Sequence, residues 1–288
     1  MKYVLYKPRG GLNDTLCEIE KCWRYAEKTD RYLLIDTNNS GLHDDFWNYF
    51  STDSHKIIRK NNYKELNKLT AHPSICQGEL DTYEAEYSPM FKNFVEKRTG
   101  ARLTFNMEHK HPENVLVHES CWEGEFLSIY ALDGLRLRKE VIDHIKEKMA
   151  EAKLDIFEYV AVHIRNTDYK MDYKRFFEQL LPQVDNKTVL VCSDDYEVFS
   201  YARKTLAKSR VVRLSTFKDN KGEPLHHQKH KDQYKVNLEV LTDLVALAKS
   251  KLFVMGHVNN TNRFSGFTML AYTLKENPDI LKKLLIAS

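Results

Sequence analysis

A chain of 288 residues, 42% hydrophobic and 30% charged, is too long for one small core and reads as a globular protein of two domains, roughly 140 residues each. Its net charge of +3 does not mark a nucleic-acid-binding protein. No run reaches eighteen apolar residues, so no transmembrane segment is expected and only a peripheral association with a membrane is left open. Five scattered cysteines, odd in number and without a C-x-x-C pair, point to reduced thiols in a cytoplasmic protein.

Residues 3–7 read as a strand and PRGGLND as a tight loop. A helix follows from about Asp14 to Lys28, with Leu12, Leu16, Ile19, Trp23 and Ala26 at helical spacing. RYLLID (31–36) is the next strand, so the chain opens as a βαβ unit. The stretch 37–110, rich in Asn, Tyr, Lys and His, offers only short helical patterns around HDDFWNYF and YSPMFKNFVEKRTG. ENVLVHES (113–120) reads as a strand, and residues 135–152 place Leu137, Val141, Ile142, Ile145 and Met149 on one helical face. Beyond residue 152 strands and helices alternate: strands YVAVHI, TVLVCS, RVVRLS and KLFVMG, with helices around 173–181, 194–208, 236–249 and from Gly266. That alternation predicts a parallel sheet covered on both faces, a domain boundary near 152, and a ligand cleft at the carboxyl ends of the strands.

The candidate chemistry gathers at those strand ends. VAVHIRNTDYK (160–170) runs from an apolar strand into Arg165, Asn166, Thr167 and Asp168. A guanidinium at that edge suits phosphate, because its planar donors pair with two oxygens at once; the plainer alternative is an ion pair with Asp168. Ser265 is placed to cap a helix opening at Gly266–Phe267, whose free N–H groups form an anion site that Gly266 lets a ligand approach closely. An ordinary cap has the same pattern. Asp243 lies well off the apolar stripe of Leu238, Leu241, Leu244, Val245 and Ala248, so it either reaches a cleft and accepts from a base or sugar or is a solvated acid. Ser193, followed by Asp194 and Asp195, reads as a serine-capped helix start. His226, His227 and His230 lack a Cys or acidic partner at a convincing spacing and read as a solvated loop rather than a metal site. Gly10 and Gly11 permit close backbone approach, and Asn13 can donate or accept, but this loop matches neither G-x-G-x-x-G nor G-x-x-x-x-G-K-[ST].

Taken in order, these segments resemble the fucosyltransferase superfamily, which includes the nodulation and core α1,6-, bacterial α1,2- and protein O-fucosyltransferases. HIRNTDY resembles its H-x-R-R-x-D motif, GGLND its N-terminal G-x-x-N loop, and VLVCSDD its strand ending in (S/T)-D-D. LTDLVALAKSKLFVMG is similar to its helix bearing an aspartate before the last strand, and RFSGFTMLAY resembles its closing S-x-F/S-x-x-x-x-A segment. The resemblance covers most of 159–276 and the first thirty-odd residues, but not 37–130, where acceptor recognition is expected. It implies two Rossmann-like α/β domains of the GT-B type facing each other across a cleft, with 1–152 on the acceptor side and 153–288 binding the nucleotide sugar. It further implies an inverting, metal-independent transfer of fucose from GDP-fucose to a glycan hydroxyl, with no cofactor beyond the donor.

On that pattern Arg165 holds the β-phosphate, Asp243 reads the nucleobase, Ser265 supplies a phosphate-binding hydroxyl, His163 lies beside the base by its backbone, and Asn13 lies near the phosphate or sugar. Gly11, Asp194, Gly266 and Phe267 complete the donor-binding candidates. The catalytic candidates are Arg165, for charge on the leaving diphosphate, and Asp168 and Asp172, the nearest carboxylates for deprotonating the acceptor. Asn166 stands where the second motif arginine is expected. The alternatives are therefore a different sugar donor, as in a rhamnosyltransferase, compensation by a basic residue such as Arg263, or a non-catalytic nucleotide- or glycan-binding module.

Overall fold

The computed structural model describes residues 1–59, 62–121, 128–155, 158–216, 222–224, 227–258 and 263–286. They form two compact units, Met1–Leu135 and Arg136–Ser288. All five cysteines are free thiols. Among the described residues no helix is long and apolar enough to cross a membrane.

The first unit contains β1 (Tyr3–Pro8), α1 (Leu12–Lys28), β2 (Tyr32–Ile35), β3 (Ile57–Ile58), β4 (Ala71–His72), the antiparallel hairpin β5 (Ala85–Ser88) and β6 (Asn93–Glu96), β7 (Val115–Ser120) and α2 (Ile129–Gly134). Five strands form one parallel sheet in the order β3-β2-β1-β7-β4. Val4, Leu5 and Tyr6 of β1 and Val115, Leu116 and Val117 of β7 are all fully buried. Such strands are covered on both faces, which is why they read as apolar runs rather than as alternation. Arg31, also buried, sits at the amino-terminal end of the sheet. Its Nη1 donates to Glu113 O at 2.9 Å and its Nη2 to His111 O at 2.5 Å, with Tyr3 O and Asn114 O each 3.4 Å from Nη1.

Of the two short helical patterns expected within 37–110, one is corrected and the other is a single 3-10 turn. YSPMFKNFVEKRTG is the hairpin: Pro89 has no N–H for a helix, Lys92 turns in the left-handed region at φ 50°, and Tyr87 pairs with Phe94, ring on ring at 5.7 Å. HDDFWNYF yields only the short turn Phe46–Asn48, capped by Asp45, whose carboxylate accepts from Trp47 N at 3.0 Å.

The second unit contains α3 (Lys139–Glu151), β8 (Val160–Ile164), α4 (Tyr173–Val184), β9 (Thr188–Ser193), α5 (Tyr196–Thr205), β10 (Arg210–Val212), α6 (Gln233–Ala248), β11 (Leu252–Met255), α7 (Gly266–Glu276) and α8 (Pro278–Leu284). Its four strands are parallel in the order β10-β9-β8-β11. The expected alternation of strand and helix after residue 152 is thus what the chain forms. By its packing on α6, α3 goes with this unit, so the units divide at Leu135/Arg136 where the sequence placed a boundary near 152. One side of the core holds Val160, Val162, Ile164, Phe177, Leu180, Val189 and Val191, all buried. The chain leaves β8 toward β9 and β10 on one side and returns to β11 on the other. The junction of β8 and β11 is therefore the point where the strand order reverses, and the loops beyond their carboxyl ends are where such sheets bind ligands.

Candidate active site

At that junction β8 runs out into Arg165. The guanidinium is 18% exposed and held by two carboxylates: Nε donates to Asp168 Oδ1 at 2.8 Å, and Nη1 lies 2.9 Å from Asp194 Oδ2. Asp194, at the end of β9, also accepts from Asn166 N at 2.8 Å and Thr167 Oγ1 at 2.5 Å. Burial pushes its pKa up, and the charge of Arg165 pulls it only partly back. Asp168 goes the other way. Burial raises its pKa, but the hydrogen bond and charge of Arg165, with donation from Thr167 and Tyr169 N, outweigh this and hold the carboxyl below its usual value. Asp194 thus serves as the anchor for the β8 loop, and the helix start expected at Ser193 is corrected. Asp195 caps α5 by accepting from Glu197 N at 2.8 Å, while Ser193 Oγ accepts from Asp195 N.

Asn166 is buried. Its Nδ2 donates to Asp195 Oδ2 at 2.7 Å, and its carbonyl accepts from Lys170 Nζ at 3.0 Å. The amide therefore ties β8 to α5, and Lys170, which the sequence reading did not single out, lies four residues later with its ammonium on the Asn166 backbone carbonyl. Arg263 is exposed, and its carbonyl accepts from Val258 N. Asp172 caps α4 by accepting from Arg175 N at 3.1 Å.

A second group assembles where β8 meets α7. Ser265 caps α7 as expected: its Oγ accepts from Thr268 N at 3.2 Å and lies 2.8 Å from Thr268 Oγ1. His163 Nδ1 is 2.7 Å from the same Thr268 hydroxyl, and its ring packs on Phe267 at 5.1 Å. Burial, helped by the charge of Arg165, pushes the His163 pKa down to about 3, so the ring is neutral throughout the physiological range. Gly266 is the first residue of α7. Thr268 was not legible as a site residue, because its partner lies 105 positions away. Ser265→Ala is expected to cost about 1 kcal/mol, or about 2–4 °C in melting temperature, as the helix loses its cap; differential scanning calorimetry measures it.

Asp243 is not the solvated acid that one reading of the sequence allowed. It lies neither in solvent nor off a narrow stripe, because α6 is buried on almost every side from Asn237 to Ala248. The carboxylate is buried, hydrogen-bonded by Ser215 and Cys192, with Oδ1 left without a partner. Burial pushes its pKa up to about 7. Together with Glu239, which accepts from Thr216 N and Oγ1 at 2.8 and 2.5 Å, it pins the loop that follows β10.

Gly11 and Asn13 belong to the other unit. Gly11 caps α1, which starts at Leu12 rather than Asp14, and Asn13 Oδ1 is 3.9 Å from Cys17 Sγ. A Cβ at Gly10 would stand 2.5 Å from the Asp14 carboxylate, which accounts for a glycine there. Beside this loop Arg9 Nε donates to Glu119 Oε1 at 2.5 Å. The same unit holds a pocket of about 430 Å³ that the sequence did not announce, lined by Glu18, Lys21, Asn93, His118, Ser120 and the segment 104–108. Inside it His118 Nε2 lies 2.7 Å from Glu18 Oε2 and 3.0 Å from Ser120 Oγ. The spacing of His118 and Ser120, two apart on one strand and so on one face, was the available signal. Of the HHQKH histidines, His226 lies outside the described residues.

No family model matches the chain, and no curated protein matches it. Solved structures do. NodZ fucosyltransferase from Bradyrhizobium superposes with a TM-score of 0.65 at 18% identity, covering 94% of this chain and 92% of its own. The fold is a fucosyltransferase fold. A second NodZ structure, of the α-1,6-fucosyltransferase co-crystallised with GDP, gives 0.62 at 18% identity over 94% and 91%. FUT1 from Arabidopsis thaliana, in complex with GDP, gives 0.53 at 13% identity over 95% and 68%. POFUT1 in complex with GDP gives 0.52 at 12% identity over 96% and 95%. The fucosyltransferase fold, of the GT-B type, therefore spans nearly the whole chain.

Proposed function

We propose that this protein is an inverting glycosyltransferase that moves fucose from GDP-fucose to a glycan hydroxyl. The observation that carries the reading is a guanidinium, Arg165, fixed by two carboxylates at the strand-order reversal of a sheet that shares its fold with fucosyltransferases solved with GDP. Charge grows on the leaving diphosphate as the bond to C1 breaks, and a fixed cation with unused N–H donors stabilises that charge more than the ground state. The N-terminus of α7, with Ser265, adds backbone donors. Lys170 stands in for the second motif arginine, and Asp243 faces the nucleobase through the loop it pins. Asp168, which accepts from Arg165, Thr167 and Tyr169 N, positions the arginine rather than removing a proton. The C-terminal domain takes the donor and the N-terminal domain the acceptor, in the pocket of Glu18, His118 and Ser120.

Metal independence belongs to the same reading, because Arg165 supplies the charge that a bound cation otherwise would. GDP-fucose hydrolysis and transfer, measured against an acceptor array with and without EDTA, test it. Transfer is expected with GDP-fucose above other nucleotide sugars and is expected to need no added Mg²⁺ or Mn²⁺. Preference for a different donor on a nucleotide-sugar panel overturns the sugar assignment, and activity lost to EDTA and restored by Mg²⁺ or Mn²⁺ overturns the metal-free step.

A further inference from the structure

At the amino-terminal end of the first unit's sheet His72, His111 and Glu113 converge. One ligand atom from each lies within 4.8 Å of the others, and the two imidazole rings are 5.3 Å apart. His72 ends β4, while His111 and Glu113 lead into β7. Two features go beyond proximity. His111 Nε2 is 2.9 Å from Asn106 O. A carbonyl only accepts, so the proton is on Nε2 and Nδ1 keeps its lone pair. A second-sphere carbonyl of this kind sets the tautomer of metal-ligating histidines. Glu113 Oε2 is buried without any hydrogen-bond donor, although Arg31 fixes the backbone on both sides of it through His111 O and Glu113 O.

We propose that His72, His111 and Glu113 form a Zn²⁺ site. Two imidazoles and one carboxylate are the nitrogen and oxygen donors that a borderline-soft ion accepts, with water as the fourth ligand. A tetrahedral site with bonds near 2.0–2.1 Å needs donors roughly 3.3 Å apart, so the side chains close in on the ion by rotation. The buried oxygen of Glu113 gains the partner it lacks. Arg31 is a cation close to the same backbone and opposes an ion there, so the carboxylate charge is required for binding. The ion joins β4 to the segment 105–111, whose Phe105 meets His111 edge-on at 5.4 Å and His118 edge-on at 5.7 Å. It thereby braces the wall of the first unit's pocket formed by Phe105, Asn106, Met107 and Glu108. The inference does not depend on the proposed transfer reaction.

The test uses the full chain without an affinity tag, stripped with EDTA, dialysed and titrated with ZnCl₂ by calorimetry, with thermal melts before and after. The natural chain is expected to bind one Zn²⁺ and melt higher with it. Glu113→Gln, which keeps shape and loses charge, is expected to bind more than roughly a hundredfold more weakly, because a direct ligand counts for more than the outer-shell partners whose loss costs roughly tenfold to a hundredfold, and His111→Ala to lose the site. A chain carrying both His227→Ala and His230→Ala is expected to bind as the natural chain does. Zn²⁺ affinity unchanged in Glu113→Gln, uptake lost in the His227/His230 variant instead, or no uptake by the natural chain overturns the proposal. Because Glu113→Gln is nearly isosteric, its metal-free melt also separates a lost ligand from a lost fold.

Discussion

Arg165→Ala is expected to slow transfer roughly a hundredfold to a thousandfold, about 3–4 kcal/mol, and to weaken GDP binding. The guanidinium uses its Nε on Asp168 and faces Asp194 with Nη1, so it arrives at the diphosphate already oriented. Its removal has a second effect, because Asp194 is only 5% exposed and loses its cation. The variant is therefore expected to melt lower, and the deficit to shrink as pH falls and Asp194, whose pKa burial raises, takes up a proton. Arg165→Lys keeps the charge but not the planar fork, so it cannot serve both carboxylates and a phosphate; its turnover is expected to stay far below that of the natural chain. Asp194→Asn separates the two effects, since it removes the charge pairing and leaves the guanidinium. GDP affinity, turnover and melting are measured for all three. A lowered melting temperature in Arg165→Ala, with GDP affinity unchanged in the folded fraction, makes the arginine an ion-pair partner only and removes it from the site.

Asp243→Asn is expected to raise stability at pH 8 and to leave it unchanged near pH 4. The folded carboxyl titrates at about 7 because it is buried, whereas in the unfolded chain it titrates near 3.9. Below about pH 4 both states carry the proton and the group contributes no penalty. Between about pH 4 and 7 the unfolded chain releases a proton that the folded chain retains, so stability falls as pH rises and levels off above 7. Three units at 1.36 kcal/mol each bound the effect at on the order of 4 kcal/mol. The amide still accepts from Ser215, so the substitution removes the slope without removing that hydrogen bond. Denaturant unfolding from pH 4 to 8 reads the slope, and GDP titration of the same variant reads the nucleobase role, where a loss of affinity is expected. The same slope in natural and variant chains contradicts the assignment of this group.

The second half of the chain was legible because its strands are continuous apolar runs bounded by helices, which only a parallel sheet covered on both faces explains. Ser265 was legible as a cap, and Arg165 as a strand-end cation, because both are local patterns. Burial of Asp243 was not legible, because a helix covered on all sides buries its polar positions too, and they then need partners such as Cys192 and Ser215. His163–Thr268 and Glu18–His118 are contacts between residues 105 and 100 positions apart, which no local spacing contains. The stretch 37–110 stayed opaque because strands as short as Ile57–Ile58 and Ala71–His72 leave no periodicity to read.

The order of strands in the first unit has a consequence for how the chain is made. On the ribosome β1, α1 and β2 emerge first and close a βαβ unit. The other side of β1 pairs Tyr3 with Val115 through Pro8 with Ser120, so it waits for the far end of the unit. Until then its N–H and C=O groups form an open edge that another nascent chain can take. Arg31 is where the wait ends: one of its nitrogens contacts Tyr3 O at the start of β1, and its remaining hydrogen bonds go to His111, Glu113 and Asn114, the residues that lead in the late strand. A pause in translation before residues 115–120 have emerged from the ribosome therefore leaves a buried-type arginine and an unpaired strand exposed, while a pause after they have emerged leaves β1 paired on both sides.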